Sequence, residues 1–90
     1  MMNEIFDMIT LGMSLDFDGD SGMVCHKAIR DNRIFVNIAF DEEDGKINYK
    51  VFEVTSMGDN IKFSEVYDED IKSRLTSYWI AEDMEVCKEV

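Results

Sequence analysis

Apolar and polar side chains alternate through the middle of the chain. The alternation is strictest in "RIFVNIAF", where Ile34, Val36, Ile38 and Phe40 occupy every second position. Segments with this period are joined by short connections and cover residues 23–30, 33–40, 46–54 and 61–67. Connections this short join only antiparallel neighbours. The pattern therefore predicts a four-stranded antiparallel meander.

The segment "KINYKVFEV" keeps the alternation but changes its parity. Ile47, Tyr49 and Val51 share one face of the predicted strand, whereas Phe52 and Val54 share the other. Such a change indicates either a β-bulge or a strand that is covered on both faces. Both interpretations fit the sequence.

The end of the chain changes to helical spacing. Asp68 is a suitable N-cap, and Ile71, Leu75, Tyr78 and Trp79 form a stripe that should pack across one face of the sheet. A second apolar face contains Ile80, Met84 and Cys87. Either the helix breaks near residue 82, or it is packed on both sides, or this face is an oligomer contact through Ile80 and Met84, with Trp79 as a further member. The opening "NEIFDMITLGM" predicts a short helix, and a strand is the alternative.

These elements make a single α+β domain over residues 1–90, with a four-stranded antiparallel β-meander, a C-terminal α-helix packed on one face and a short N-terminal helix or strand. The chain is too short for a second core. The predicted core consists of apolar residues from the strands and the helix: Ile34, Val36, Ile38, Phe40, Tyr49, Val51, Phe63, Ile71, Leu75 and Tyr78.

Net charge changes the expected partners. The chain has 20 Asp and Glu residues against 9 Lys and Arg residues, which gives a formal charge of −11. Nucleic acids and anionic membranes would repel this chain, because their binding depends on Lys and Arg. A basic protein surface would be attracted. The alternative is that the charge only keeps the protein in solution.

The stretch "LDFDGDSGMVCHK" places Asp16, Asp18 and Asp20 at alternate positions, as in a calcium-binding EF-hand loop. If Asp16 is the first ligand, the loop lacks glycine at its sixth position and has Lys27 where a bidentate Glu is needed. The stretch from Asp18 to Gly22 is therefore interpreted as a glycine-rich acidic turn, and no metal site is predicted. Weak cation binding by the three aspartates is the alternative.

Candidate catalytic residues are few. His26 follows Cys25 directly, and adjacent residues of a strand point to opposite faces, so a catalytic dyad is not expected. Cys25 and Cys87 are predicted to be part-buried free thiols. No phosphate-binding or nucleophile motif occurs, and we expect no cofactor and no enzymatic activity. A basic leader and a long apolar run are lacking, which predicts a cytoplasmic protein.

The carboxylates are grouped along the chain. We expect three of the groups to bind a partner: Asp16, Asp18 and Asp20; Asp41, Glu42, Glu43 and Asp44; and Glu65, Asp68, Glu69 and Asp70. Carboxylates at turns and helix ends can imitate the phosphate spacing of a duplex, so a nucleic-acid-binding protein could accept them in its basic groove.

In size, charge and lack of catalytic motifs, the chain is similar to two groups of small acidic proteins. One comprises phage-encoded DNA-mimic inhibitors, including anti-restriction and anti-CRISPR proteins. The other comprises acidic immunity proteins and antitoxins that neutralise a basic toxin. The resemblance is one of composition and carries over no residue roles. We expect a non-enzymatic inhibitor that engages a basic protein surface, and the alternative is a regulatory or structural domain that forms a homodimer.

Overall fold

The computed structural model describes residues 2–88, and the side chains of residues 3–84. Two helices and five strands follow one another in the order α1 (Met2–Met8), β1 (Ser14–Phe17), β2 (Asp20–Arg30), β3 (Arg33–Asp41), β4 (Ile47–Met57), β5 (Asn60–Glu65) and α2 (Glu69–Lys88). Within these residues, neither helix has the length and apolar character that crossing a membrane requires.

The five strands form one antiparallel sheet in the order β1-β2-β3-β4-β5. The α+β class, the meander and the C-terminal helix are confirmed, and the N-terminal element is a helix. The predicted number of four strands is wrong, because β1 pairs with the first residues of β2. Strand β1 has only four residues, and one of them is Asp16. A segment this short shows too little alternation for a strand to be predicted from the sequence alone.

Aromatic contacts show that the sheet curls. The ring of Phe17, on edge strand β1, lies 5.7 Å from the ring of Phe63, on the opposite edge strand β5. It also stacks on Phe52 at 4.8 Å and meets Phe40 edge to face at 5.7 Å. Flat neighbouring strands are about 4.8 Å apart, so edges separated by three strands meet only in a strongly curled sheet. The sheet is a half-barrel around Phe17.

The concave face of the half-barrel holds the larger apolar cluster. Its buried members come from the central strands and from the segment after α1: Ile9, Val24, Ile34, Val36, Ile38, Phe40, Phe52 and Val54. Lys27 reaches this side as well and fixes α1, because its ammonium donates hydrogen bonds to the carbonyl oxygens of Phe6 and Ile9 at 2.8 and 2.9 Å. The Phe6 carbonyl also accepts the Ile9 N–H at 3.3 Å, so Lys27 ties the last turn of α1 and the residue after it to β2.

The convex face is covered by α2. Leu75 and Trp79 pack against Ala28, Phe35 and Val51, and only 2% of Trp79 is exposed. The predicted N-cap is confirmed, since Asp68 Oδ1 accepts hydrogen bonds from the backbone N–H groups of residues 70 and 71 at 2.9 and 3.3 Å.

Two tyrosines of the predicted core are exposed. Tyr49 is 56% exposed because it lies on the convex face beyond the strip that α2 covers. Tyr78 is 38% exposed, and its ring is stacked by the Arg30 guanidinium at 4.0 Å. The rings of Tyr49 and Tyr78 fitted the alternation and the helical spacing that predicted the core. Helix α2, however, covers only the side chains along its path across the sheet. Phe63 and Ile71 are half-buried at the margins of the two clusters.

Strand β4 is covered on both faces only around Val51 and Phe52, and Ile47 and Tyr49 beside them are exposed. The register between β3 and β4 is unbroken from Ile34↔Val54 to Asp41↔Ile47, so no bulge interrupts this pair. A bulge instead occurs in β2 at Cys25, between Val24 and His26. Of the two predicted free thiols, Cys25 is half-buried and unbridged; Cys87 lies outside the residues whose side chains the structure describes.

Candidate binding face

Two acidic turns meet at one end of the half-barrel. In a meander, the β1–β2 and β3–β4 turns lie at the same end, and a shared surface cleft lined by Asp20, Asp41 and Glu42 shows that they are neighbours here. This end, called the acidic end below, gathers the first two predicted groups: Asp16, Asp18, Asp20, Asp41, Glu42, Glu43 and Asp44. All of these residues are exposed.

The β1–β2 turn is tighter than predicted. Asp18 and Gly19 alone form its loop with φ angles of 49° and 94°, as the primed hairpin turns require. Asp16 Oδ1 accepts a hydrogen bond from the Gly19 N–H at 3.2 Å. The acidic turn is therefore confirmed, but the predicted turn residues from Asp20 to Gly22 belong to β2.

Asp16, Asp18 and Asp20 lie at the end of the hairpin that β1 and β2 form. Lys27, which stands at the last ligand position of the loop pattern, points away to α1. Among the described residues, no three His, Cys, Asp or Glu side chains converge as a metal site would require.

The third predicted group lies elsewhere, and its members have local partners, as Asp44 of the acidic end has in Lys46 at 3.9 Å. Asp68 caps α2, Asp70 pairs with Arg74 at 3.3 Å, and Glu69 pairs with Lys72 at 3.5 Å. The fourth member, Glu65, lies half-buried on β5 and accepts a hydrogen bond from the Tyr67 hydroxyl at 3.3 Å. The structure thus joins the first two groups and separates the third from them.

Cross-strand register places rows of side chains on the convex face between α2 and the acidic end. The row next to α2 contains His26, Asn37 and Val51. The next row outward contains Ser14, Met23, Ala39 and Tyr49, and the last contains Asp16, Ser21, Asp41 and Ile47. The middle row is thus an apolar strip with α2 on one side and carboxylates on the other.

The uncovered strip and α2 form a groove. It has a volume of about 670 Å³. Its walls are mainly apolar, and Met23, Tyr49 and Ile80 line it while remaining 48%, 56% and 55% exposed. Thr76 and Lys72 follow Ile80 toward the start of α2 at intervals of one helical turn. The open part of the groove is therefore apolar, with the exposed side of α2 as one wall.

The helix side of the groove is fixed by polar contacts to His26. Asn37 Nδ2 lies 3.2 Å from His26 Nδ1, and Asp83 Oδ2 lies 3.0 Å from His26 Nε2. The imidazole thus bridges the Asn37 amide on β3 and the Asp83 carboxylate on α2. The imidazole also stacks on the Trp79 indole at 5.5 Å, and the indole N–H donates to the Lys27 carbonyl at 3.3 Å. These contacts hold α2 over β2.

The β-bulge changes the expected relation of Cys25 and His26. The alternation assumed for adjacent strand residues fails at the bulge, and both residues line the groove. The imidazole nitrogens are nevertheless engaged by Asn37 and Asp83, while Cys25 Sγ lies 3.7 Å from the carbonyl oxygen of Met23. This arrangement orients the histidine toward α2.

The exposed helix face contains two of its three predicted members. Ile80 and Met84 are exposed, and Ile80 lines the groove. Trp79 is instead buried against the sheet, so its assignment to an oligomer face is wrong. The helical turn places Trp79 on the sheet side, and the indole N–H finds a partner only there.

Basic side chains gather at the opposite end of the sheet. Arg30, Arg33 and Arg74 line a second cleft there. The Arg33 guanidinium binds both carboxylate oxygens of Glu53, at 2.8 and 3.0 Å. This hydrogen-bonded pair lowers the pKa of Glu53 and raises the pKa of Arg33. Arg74 pairs in turn with Asp70 at 3.3 Å, and Asp31 lines the same cleft, so this end carries charges of both signs.

The groove combines linked polar groups on its helix side with an open apolar part. Its polar groups are tied to one another, and its open part is apolar beside carboxylates. Sequence reasoning missed it, although the alternation of Met23, Tyr49 and Ile47 onto one face was a usable signal. Comparisons with protein families, with curated proteins and with solved structures find no match to this chain.

Proposed function

We propose that the protein is a non-enzymatic binding protein whose acidic end engages the basic surface of a partner protein. The observation that carries this proposal is the meeting of two carboxylate-bearing turns at one end of the half-barrel. Like charges repel, so concentrating them on one end opposes folding and needs an offsetting use. A basic partner supplies the opposite charge and gains a steered, fast association.

The class of partner follows from the charge. Proteins that bind nucleic acids present Lys and Arg in a groove, and exposed carboxylates can occupy that groove by the same release of counterions. Occupation of the groove would inhibit the partner. The basic target of such an inhibitor is a nucleic-acid-binding enzyme or a toxin, in keeping with the compositional likeness to DNA-mimic inhibitors and immunity proteins.

Affinity capture from a cell lysate tests the proposal when it is done at two salt concentrations. The tagged protein is used at about 50 mM and about 500 mM salt, since the higher concentration screens charge-driven contacts. A variant of the acidic end replaces Asp41, Glu42 and Glu43 with the corresponding amides. A matched control replaces Glu4, Asp7 and Asp59, which are exposed elsewhere, and keeps the net charge equal.

A basic protein should be captured at low salt by the unmodified chain and by the control, and should be lost with the acidic-end variant. Capture that is indifferent to salt would contradict the proposal. Equal loss with both variants would also contradict it, because the acidic end would then have no special role.

A second candidate function is self-association through α2, which the exposure of Ile80 and Met84 favours. A dimer that dissociates on dilution, and that is lost on Ile80→Asp, is its expected signature in sedimentation. The charge of −11 opposes this alternative, because two acidic ends would be brought together in one particle.

A further inference from the structure

We infer that the groove between α2 and the acidic end binds an amphipathic helix of the partner, with an apolar stripe and a basic edge. This inference rests on the proposed function and names the segment that the binding face accepts. It combines two observations. The groove has an exposed apolar row, and carboxylates lie beside that row.

The width of the uncovered strip suits one helix. Alternate residues of a strand are about 7 Å apart, so the carboxylate row lies about 14 Å from the row next to α2. Two packed helices have axes about 8–10 Å apart, and a helix with side chains is about 10–12 Å wide. A helix laid beside α2 would thus cover Met23, Tyr49 and Ile80. Its far edge would reach the row that contains Asp16 and Asp41.

The side chains on the two sides of the groove determine which edge of the bound helix faces α2 and which faces the acidic end. On the α2 side, Ile80 and Thr76 offer an apolar wall, and the charge of Lys72 is balanced by Glu69 at 3.5 Å. On the far side, Asp16 and Asp41 point from the same face as the groove, with the acidic turns behind them. Lys and Arg therefore belong on the edge of the helix that faces the turns.

Net charge selects this occupant over a second copy of the chain. Another molecule would bring its own charge of −11 toward the carboxylate row, and an anionic membrane would be repelled for the same reason. A basic amphipathic helix satisfies the apolar strip and the carboxylates together. This mode of recognition is common for helices in grooves.

A synthetic helical peptide of leucine and lysine is the probe, labelled for fluorescence anisotropy at about 50 mM salt. The comparison peptide keeps every lysine and has serine in place of leucine. The groove variant is Tyr49→Ser with Ile80→Ser, and the matched control is Tyr67→Ser with Met57→Ser. All four side chains are more than half exposed, so both variants should keep the fold.

The leucine peptide should bind at least about tenfold more tightly than the serine peptide, and the groove variant should remove about that factor. The control variant should change the affinity by less than about twofold. Replacing Asp16 and Asp41 with asparagine should also weaken binding, and the difference from the unmodified chain should shrink as added salt screens the carboxylates.

Other outcomes separate the groove from the acidic end. Equal binding of the two peptides, with no effect of the groove variant but a clear effect of the acidic-end variant, would overturn the helix inference and leave the proposed function intact. Salt-independent binding, or insensitivity to both variants, would overturn both. A dimer of the unmodified chain that is lost in the groove variant would assign the groove to a second copy instead.

Discussion

Lys27 is the residue whose replacement tests the packing of the half-barrel most sharply. Its ammonium donates hydrogen bonds to the carbonyl oxygens of Phe6 and Ile9 at 2.8 and 2.9 Å, and it lies 4.2 Å from the centre of the Phe6 ring. A helix as short as α1 has little stability of its own and depends on such tertiary contacts. The single side chain thus joins α1 to β2.

The cost of Lys27→Met can be estimated from these contacts. A hydrogen bond to a charged group contributes about 1.5–3 kcal/mol. When the ammonium is removed, the Ile9 carbonyl loses this donor, whereas the Phe6 carbonyl still accepts the Ile9 N–H at 3.3 Å. Because the residue is half-buried and methionine keeps most of its apolar length, we expect the free energy of unfolding to fall by about 2–4 kcal/mol. For a domain of this size, the melting temperature should fall by about 10–25 °C.

Urea denaturation followed by Trp79 fluorescence measures this change, because the indole is buried between α2 and the sheet. Lys50→Met is the matched control. Lys50 is also half-buried and lies over the Phe40 ring at 5.4 Å, but it donates no hydrogen bond within the described residues. Both variants remove one positive charge, and Lys50 lines the cleft between the acidic turns, so its loss adds repulsion there and makes it the stricter control.

The control should cost less than about 1 kcal/mol. If Lys27→Met were no more destabilising than Lys50→Met, the hydrogen bonds of Lys27 would not hold α1, and the account of the concave face would be wrong.

Three further replacements have expected outcomes in the same denaturation assay. Gly22→Ala should cost about 1–3 kcal/mol, because an added Cβ would lie only 2.8 Å from Phe40 Cε1; an unchanged urea midpoint would refute the close packing there. Glu53→Gln should cost about 0.5–1 kcal/mol near pH 7, a small value because Arg33 is 43% exposed. Since pairing lowers the pKa of Glu53, this difference should be complete above the ordinary pKa of glutamate and should be lost as the pH falls through the lowered pKa of the folded protein; a constant difference would contradict it. Asp68→Ala should cost about 1 kcal/mol and reduce the helical circular dichroism, whereas Asp68→Asn should retain most of the cap.

Elements that depend on local pattern were predictable from the sequence. The strict alternation around Ile34, Val36 and Ile38 and the N-cap at Asp68 each reappear in the structure. Strand β1 was not predictable in the same way, because a short segment with one exposed carboxylate becomes a strand only through its pairing with β2. The Asp18–Gly19 turn was visible, but its two-residue length follows from that pairing.

The binding face depends on tertiary features that the pattern does not contain. The burial of Trp79 and the exposure of Tyr49 depend on where α2 crosses the sheet, and apolar character alone does not separate them. The bulge at Cys25 turns His26 toward α2, where Asp83 meets it from the other end of the chain. The acidic groups were visible in the sequence, and the meander brings two of them together.

The central claim is that the groove and the acidic end form one binding face. Titration of the isotope-labelled protein with the leucine–lysine peptide, followed by amide chemical shifts in NMR, tests it most directly. The account predicts that the shifts change most at Ala39, Tyr49 and Thr76 and in the acidic turns, and that added salt reduces the changes. Changes concentrated around Arg30 and Asn60 at the opposite end, or spread evenly over the surface, would contradict it.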